Sequence, residues 1–141
     1  MSDYKKLKVW KNAHRFAIDI YNLTKNYPDE EKFGMIAQIR RSSLSIPTNI
    51  VEGCGQNENG NLIRYLGIAK GSAFESEYHL LLSKDLGFIS EEKYTIMSEK
   101  IKYIIRMLTK LIYSLKMVEN NKWCNNKKQY GKMYYIKKMF F

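Results

Sequence analysis

The stretch "EEKYTIMSEKIKYIIRMLTKLIYSLKMV", residues 91–118, decides how the rest of the chain is read. Tyr94, Met97, Ile101, Ile104, Leu108, Leu111, Leu115 and Val118 recur at alternating spacings of three and four. That alternation places one apolar seam along a helix, as in a bundle, with charged residues on the remaining face. Ser90 stands where an N-cap is needed, and Glu91 and Glu92 occupy the first turn, where the helix dipole favours negative charge.

The same period extends toward the N-terminus. Leu62, Leu66, Ala69, Ala73 and Leu80 predict a helix over 61–86, ended by Gly87 in the position after the cap. The run "NENGN" breaks the pattern before it, since Asn and Gly tolerate left-handed turn conformations. A second helix is predicted over 33–56, with Ile36, Ile39, Ile46 and Ile50 on one stripe. The first spans 7–27, with Ala13, Phe16, Ala17, Ile20, Leu23 and Tyr27 at helical spacing, and stops at Pro28. No strand pattern competes. Four long helices with short turns imply an all-α, antiparallel up-down-up-down four-helix bundle over 1–118, followed by a basic tail over 119–141.

At 141 residues one domain with a full core is expected. Cys54 and Cys124 are 70 positions apart with no metal-ligand spacing, which predicts free thiols in a reducing compartment. The N-terminus lacks the apolar block of a signal peptide, and no charge-free apolar run reaches the ~20 residues of a membrane span. A cytoplasmic protein is expected. The net charge is +10, and it is uneven: residues 1–118 carry 18 basic against 13 acidic side chains, residues 119–141 six lysines against Glu119. A basic surplus favours RNA, DNA or anionic membrane. In the tail, Lys127, Lys128 and four other lysines interleave with Trp123, Tyr130, Tyr134, Tyr135, Phe140 and Phe141. The tail reads as a partly disordered appendage. That mixture suits base stacking with phosphate contact, and equally a membrane surface or a partner groove.

The second helix contains a puzzle. "QIRRSSLSIPTNIVEG", residues 38–53, threads two arginines, three serines, an asparagine and Pro47 through its apolar stripe. Arg41, Ser45, Asn49 and Glu52 fall on one line beside that stripe, and Arg64, Ile68, Gly71 and Glu75 on a similar line of the third helix. The bundle reading turns these lines into a polar seam between helices two and three, with Arg41–Glu75 and Glu52–Arg64 as candidate ion pairs. Gly71, Ser72 and Ala73 would allow the close approach. Such a seam specifies register when its groups are paired; the competing reading has it line a ligand or nucleic-acid site. Pro47 should kink the helix, with neighbouring serines bonding the freed carbonyls.

Other constellations point to little chemistry. His14 and His79 lack the Glu-x-x-His repeats of di-metal bundles, so no metal or cofactor is expected. Ser42, Ser43 and Ser45 sit in no nucleophile elbow, and "EGCGQNENG" follows no strand, so catalysis is not expected. The basic candidates are Lys11 and Arg15, one turn apart, with Arg40 completing a patch, and Lys70 on the third helix.

"LKVWKNA" at 7–13, "QIRRSSLSIPTNIVEG" at 38–53, "AKGSAFESE" at 69–77 and "LGFIS" at 86–90 occur in an order and spacing that carry a resemblance. The chain resembles the four-helix-bundle proteins encoded in intervening sequences of bacterial 23S ribosomal RNA genes, a family similar to the accessory bundle protein of diversity-generating retroelements. The resemblance implies a homopentamer with a basic surface. For the retroelement relatives it implies binding to nucleic acid and to a reverse transcriptase. It implies no catalytic activity. Two departures stand out: Gln56 and Asn57 occupy positions after the "EG" step that are often basic in the family, and the tail lies outside the shared pattern. The expected function is a non-enzymatic, homo-oligomeric scaffold binding nucleic acid without strong sequence readout. The alternative is a protein-interaction module that docks a partner such as a reverse transcriptase.

Overall fold

The computed structural model describes residues 3–122, and these are all helix and turn, with no strand among them. Four α-helices carry the fold: α1 (Lys8–Leu23), α2 (Met35–Cys54), α3 (Asn59–Asp85) and α4 (Glu91–Lys122). Helix α1 packs on α2 and α4, and α3 packs on the same two, which leaves α1 and α3 at opposite corners. Residue pairs fix the directions. Arg41 meets Glu75 while Ser45 meets Ser72, and Glu77 meets Lys102 while Lys84 meets Glu91. Numbers rise on one helix as they fall on its neighbour, so α2 runs antiparallel to α3 and α3 to α4.

The expected stripes meet in the middle. Val9, Ala13, Phe16 and Ile20 of α1 are buried with Ile39, Ile46 and Ile50 of α2, Leu66, Ala69, Ala73 and Leu80 of α3, and Met97 through Leu115 of the α4 seam. Each such aliphatic side chain contributes about 1.5–3 kcal/mol on leaving water. The core is one cluster rather than several.

The ends of the helices follow local chemistry. Ser90 Oγ accepts the Lys93 amide at 3.2 Å, the expected N-cap of α4. Gly87 has φ +77, and the amides of Gly87 and Phe88 reach back to the carbonyls of Lys84 and Ser83 at 2.9 and 2.8 Å. This is a Schellman stop, which requires the left-handed residue that glycine supplies without strain. Helix α4 continues to Lys122, past Val118.

Several boundaries differ from expectation, and two of them have a local cause. Helix α1 ends at Leu23 rather than Tyr27, because the Thr24 hydroxyl donates to the carbonyls of Ile20 and Tyr21 and a 3-10 turn, Thr24–Asn26, follows. Tyr27 is already extended, as a residue before proline must be. Helix α2 begins at Met35, whose amide is held by Glu31 Oε2 at 2.8 Å, so Phe33 lies outside the helix and is 87% exposed. Pro47 is buried within an α2 that is continuous from Met35 to Cys54. The serines do not rescue the carbonyl that Pro47 frees: Ser42 and Ser43 donate to Ile39 and Arg40, one turn back.

Candidate nucleic-acid interface

The outward side of α1 begins with its burial pattern. Val9, Ala13, Phe16 and Ile20 face the core, so the opposite arc holds Lys8, Lys11 and Arg15. At spacings of three and four these cations lie within an arc of about 60°. All three are exposed, and none has an ion-pair partner among the described residues. Lys5 and Lys6 in the preceding 3-10 turn, Tyr4–Lys6, extend the same positive end of the molecule. The line stops at Asp19, which is occupied by Lys100 of α4 at 2.8 Å. Lys11 and Arg15 therefore belong together, as expected.

Arg40 does not join them. Its Nε donates to Thr24 Oγ1 at 2.7 Å, its terminal nitrogen reaches the Tyr21 carbonyl at 3.4 Å, and its guanidinium lies 4.7 Å from the Tyr21 ring centroid. It serves the C-terminal end of α1, where a cation complements the helix dipole. Lys70 is half-buried on α3, the helix diagonal to α1, and so cannot share a patch with Lys11 and Arg15. Lys127 and Lys128, with the rest of 123–141, lie outside the described residues.

The polar seam exists in a different form from the expected one. Arg41 pairs with Glu75 at 3.3 Å, but the two side chains are 70% and 42% exposed, so this is a surface pair. Such pairs contribute roughly 0–1 kcal/mol. Ser45 and Ser72 hydroxyls meet at 2.9 Å, and Asn49 Nδ2 donates to the Ser45 carbonyl and hydroxyl. Glu52 and Arg64 are both exposed and form no ion pair; Arg64 lies over the Tyr65 ring instead. The close approach of α2 and α3 occurs at Gly53, where a Cβ would stand 3.0 Å from Leu62 Cδ1 and Tyr65 Cβ. Gly71 opens outward with nothing within 4 Å.

The buried polar line lies one residue over, at Ser42, Ser76, His79 and Ser83. Ser76 Oγ donates to Ser42 Oγ at 2.9 Å, and Ser42 Oγ donates to the Ile39 carbonyl at 3.2 Å. His79 Nδ1 lies 3.1 Å from the same Ser42 Oγ, a hydrogen bond whose donor is set by the histidine tautomer. His79 Nε2 stands 3.9 Å from Glu75 Oε1. Burial holds the imidazole below its usual range, with Glu75 pulling it up and Arg41 pushing it down. The order serine, histidine, carboxylate superficially resembles a hydrolytic triad. Here the serine hydroxyl is turned into the helix backbone and is 2% exposed, so the arrangement locks α2 to α3. The signal was present in the sequence: Ser76 and Ser83 continue the spacing of Ala69, Ala73 and Leu80.

The fold and its surface thus define a small all-α, four-helix protein whose α1 presents a basic line with no ion-pair partner among the described residues. The profile of the 23S rRNA-intervening sequence proteins matches residues 5–110, and the chain belongs to that family. A solved structure from Bacteroides thetaiotaomicron, a protein with unknown function from the S23 ribosomal protein family, is similar at 32% identity with a TM-score of 0.69. The similarity covers 74% of this chain and 97% of that one. None of the curated proteins matches the sequence. Among the described residues no helix is long and apolar enough to cross a membrane.

Proposed function

We propose that this protein is a non-enzymatic, homo-oligomeric scaffold that binds RNA or DNA through its basic surface without strong sequence readout. The observation that carries the reading is the line Lys8, Lys11 and Arg15, exposed and without carboxylate partners among the described residues, beside Lys5 and Lys6. Exposed cations of this kind meet phosphates, which position a nucleic acid without reading its bases. A net charge of +10 adds long-range attraction.

Self-association is supported by α3. Its core seam of Leu66, Ala69, Ala73 and Leu80 is matched on the opposite side by Gly67, Gly71, Phe74, Tyr78 and Leu81, again at spacings of four and three. Phe74 and Tyr78 are 51% and 59% exposed in the single chain. A helix with two apolar seams has a second neighbour to bury against. Five copies is the number that the family resemblance implies, and a ring would repeat the basic face once per subunit. The same outer seam also suits a helix of another protein, which keeps docking of a partner such as a reverse transcriptase as the second reading. Sedimentation at micromolar concentration, with and without labelled mixed-sequence RNA and DNA at low salt, tests both. A monomer that binds neither nucleic acid contradicts the scaffold.

A further inference from the structure

A second line runs beside the cations of α1. Trp10, His14 and Ile18 recur at spacings of four, with His14 displaced by about 60° from Lys11 and about 100° from Arg15 around the helix. The rings of Trp10 and His14 are stacked, 4.9 Å between centroids and 8° between planes. Tyr4 braces the other partner of that stack, its ring 5.0 Å from Trp10 in an edge-on arrangement at 68°. Trp10 is half-buried, whereas His14 is exposed, has no hydrogen-bond partner among the described residues and has no other ring beyond it. The outcome is a short aromatic column that ends at the exposed His14, with Ile18 one turn further on, Lys11 one turn back and Arg15 next in sequence.

We infer that this column is a stacking platform for single-stranded nucleic acid, in which an unpaired base packs on the exposed imidazole of His14 while its flanking phosphates meet Lys11 and Arg15. The inference rests on the nucleic-acid reading above and names the class of substrate that reading leaves open. Lys11 is three residues before His14 and about 5–6 Å from it on the helix surface, and Arg15 is four residues after Lys11, so a base on His14 keeps its flanking phosphates near this pair of cations. In a duplex the base faces are already covered by their neighbours; only an unpaired base presents a π-face to a side chain. Every base has such a face, so the contact is tolerant of sequence. Bracing by Tyr4 and Trp10 holds the imidazole plane in advance, which reduces the ordering cost of binding. RNA and DNA single strands share this chemistry.

The test compares the full chain with His14→Ala and His14→Phe against a single-stranded RNA, a single-stranded DNA and a duplex of equal length, at one low salt concentration. Stacking on an aromatic side chain typically accounts for a fivefold or greater part of affinity per base. His14→Ala is expected to weaken both single strands about fivefold to tenfold and the duplex by less than twofold, and His14→Phe to restore single-strand binding. If only one of the two single strands responds, the platform serves that sugar backbone alone and the inference stands in narrowed form. Equal loss on single strand and duplex, no loss on either, or failure of His14→Phe to restore binding overturns the inference while the nucleic-acid reading survives. Absence of binding to all three nucleic acids by the unaltered protein overturns both.

Discussion

His79 Nδ1 stands 3.1 Å from Ser42 Oγ, a bond that crosses from α3 to α2 inside the bundle and ties the polar content of both helices to one point. It explains why a helix otherwise committed to an isoleucine stripe carries serines. Ser42 Oγ accepts from Ser76, shares a hydrogen bond with His79 Nδ1 and reaches the Ile39 carbonyl. Ser42→Ala removes the partner of both and leaves two buried polar atoms, Ser76 Oγ and His79 Nδ1, unpaired. The expected cost is about 1–3 kcal/mol, seen as a lowered midpoint in urea with the slope unchanged.

The same histidine makes stability depend on pH. Folding holds His79 below the ordinary value of 6.5, so between the folded value and 6.5 the unfolded chain binds more protons than the native one. Stability from this group is complete above 6.5 and is lost as the pH falls below it. The groups facing it are Glu75, which opposes the shift, and Arg41, which reinforces it. Melts between pH 7.5 and 5 should show a decline that His79→Gln flattens, since glutamine keeps a donor and does not titrate. An unchanged decline in the variant would place the titration elsewhere.

Arg40 and Arg41 are neighbours in sequence and opposites in structure. Arg40→Ala strips the Thr24 hydroxyl and the end of α1 of a charged partner and should cost about 1–2 kcal/mol. Arg41→Ala breaks only an exposed pair and should change stability by less than about 0.5 kcal/mol. Thermal denaturation of the two variants side by side checks the contrast; a larger loss at Arg41 would mean that its pair with Glu75 is buried in the assembly.

Ser98 is 4% exposed on the inner side of α4, and its hydroxyl has no hydrogen-bond partner among the described residues. Ser98→Ala removes an unpaired polar atom and adds helix propensity, so it should stabilise the protein by about 1 kcal/mol. A lower melting temperature in the variant would show that the hydroxyl has a partner in solution.

The bundle was legible because α4 carries eight seam residues at alternating spacings of three and four, and because Ser90 and Gly87 mark helix ends by backbone chemistry that neighbours do not alter. Burial was less legible. Arg41 and Ser42 sit on adjacent lines of α2, and which line enters the core depends on how closely α3 approaches, a distance set by Gly53 against Leu62 and Tyr65. Helix α3 is apolar on two sides: its period placed Ala73 on the core stripe, but could not say that Gly71, expected at the close approach to α2, faces outward. The role of Arg40 depends on Thr24, 16 residues earlier, and on a turn whose path Pro28 sets. Lys11 and Arg15 were readable as one patch because a single helix holds both.

The central claim is that the α1 cations bind phosphate, and salt dependence measures that directly. Lys8→Gln, Lys11→Gln and Arg15→Gln in one chain remove three exposed charges that support no other described side chain, so the fold and melting temperature should be retained. Affinity of the unaltered protein for mixed-sequence RNA should fall linearly with salt on logarithmic axes, at roughly 0.7–0.9 per phosphate neutralised. The triple variant should bind more weakly and lose about 2–3 from that slope. A folded triple variant with unchanged affinity and unchanged slope would contradict the account.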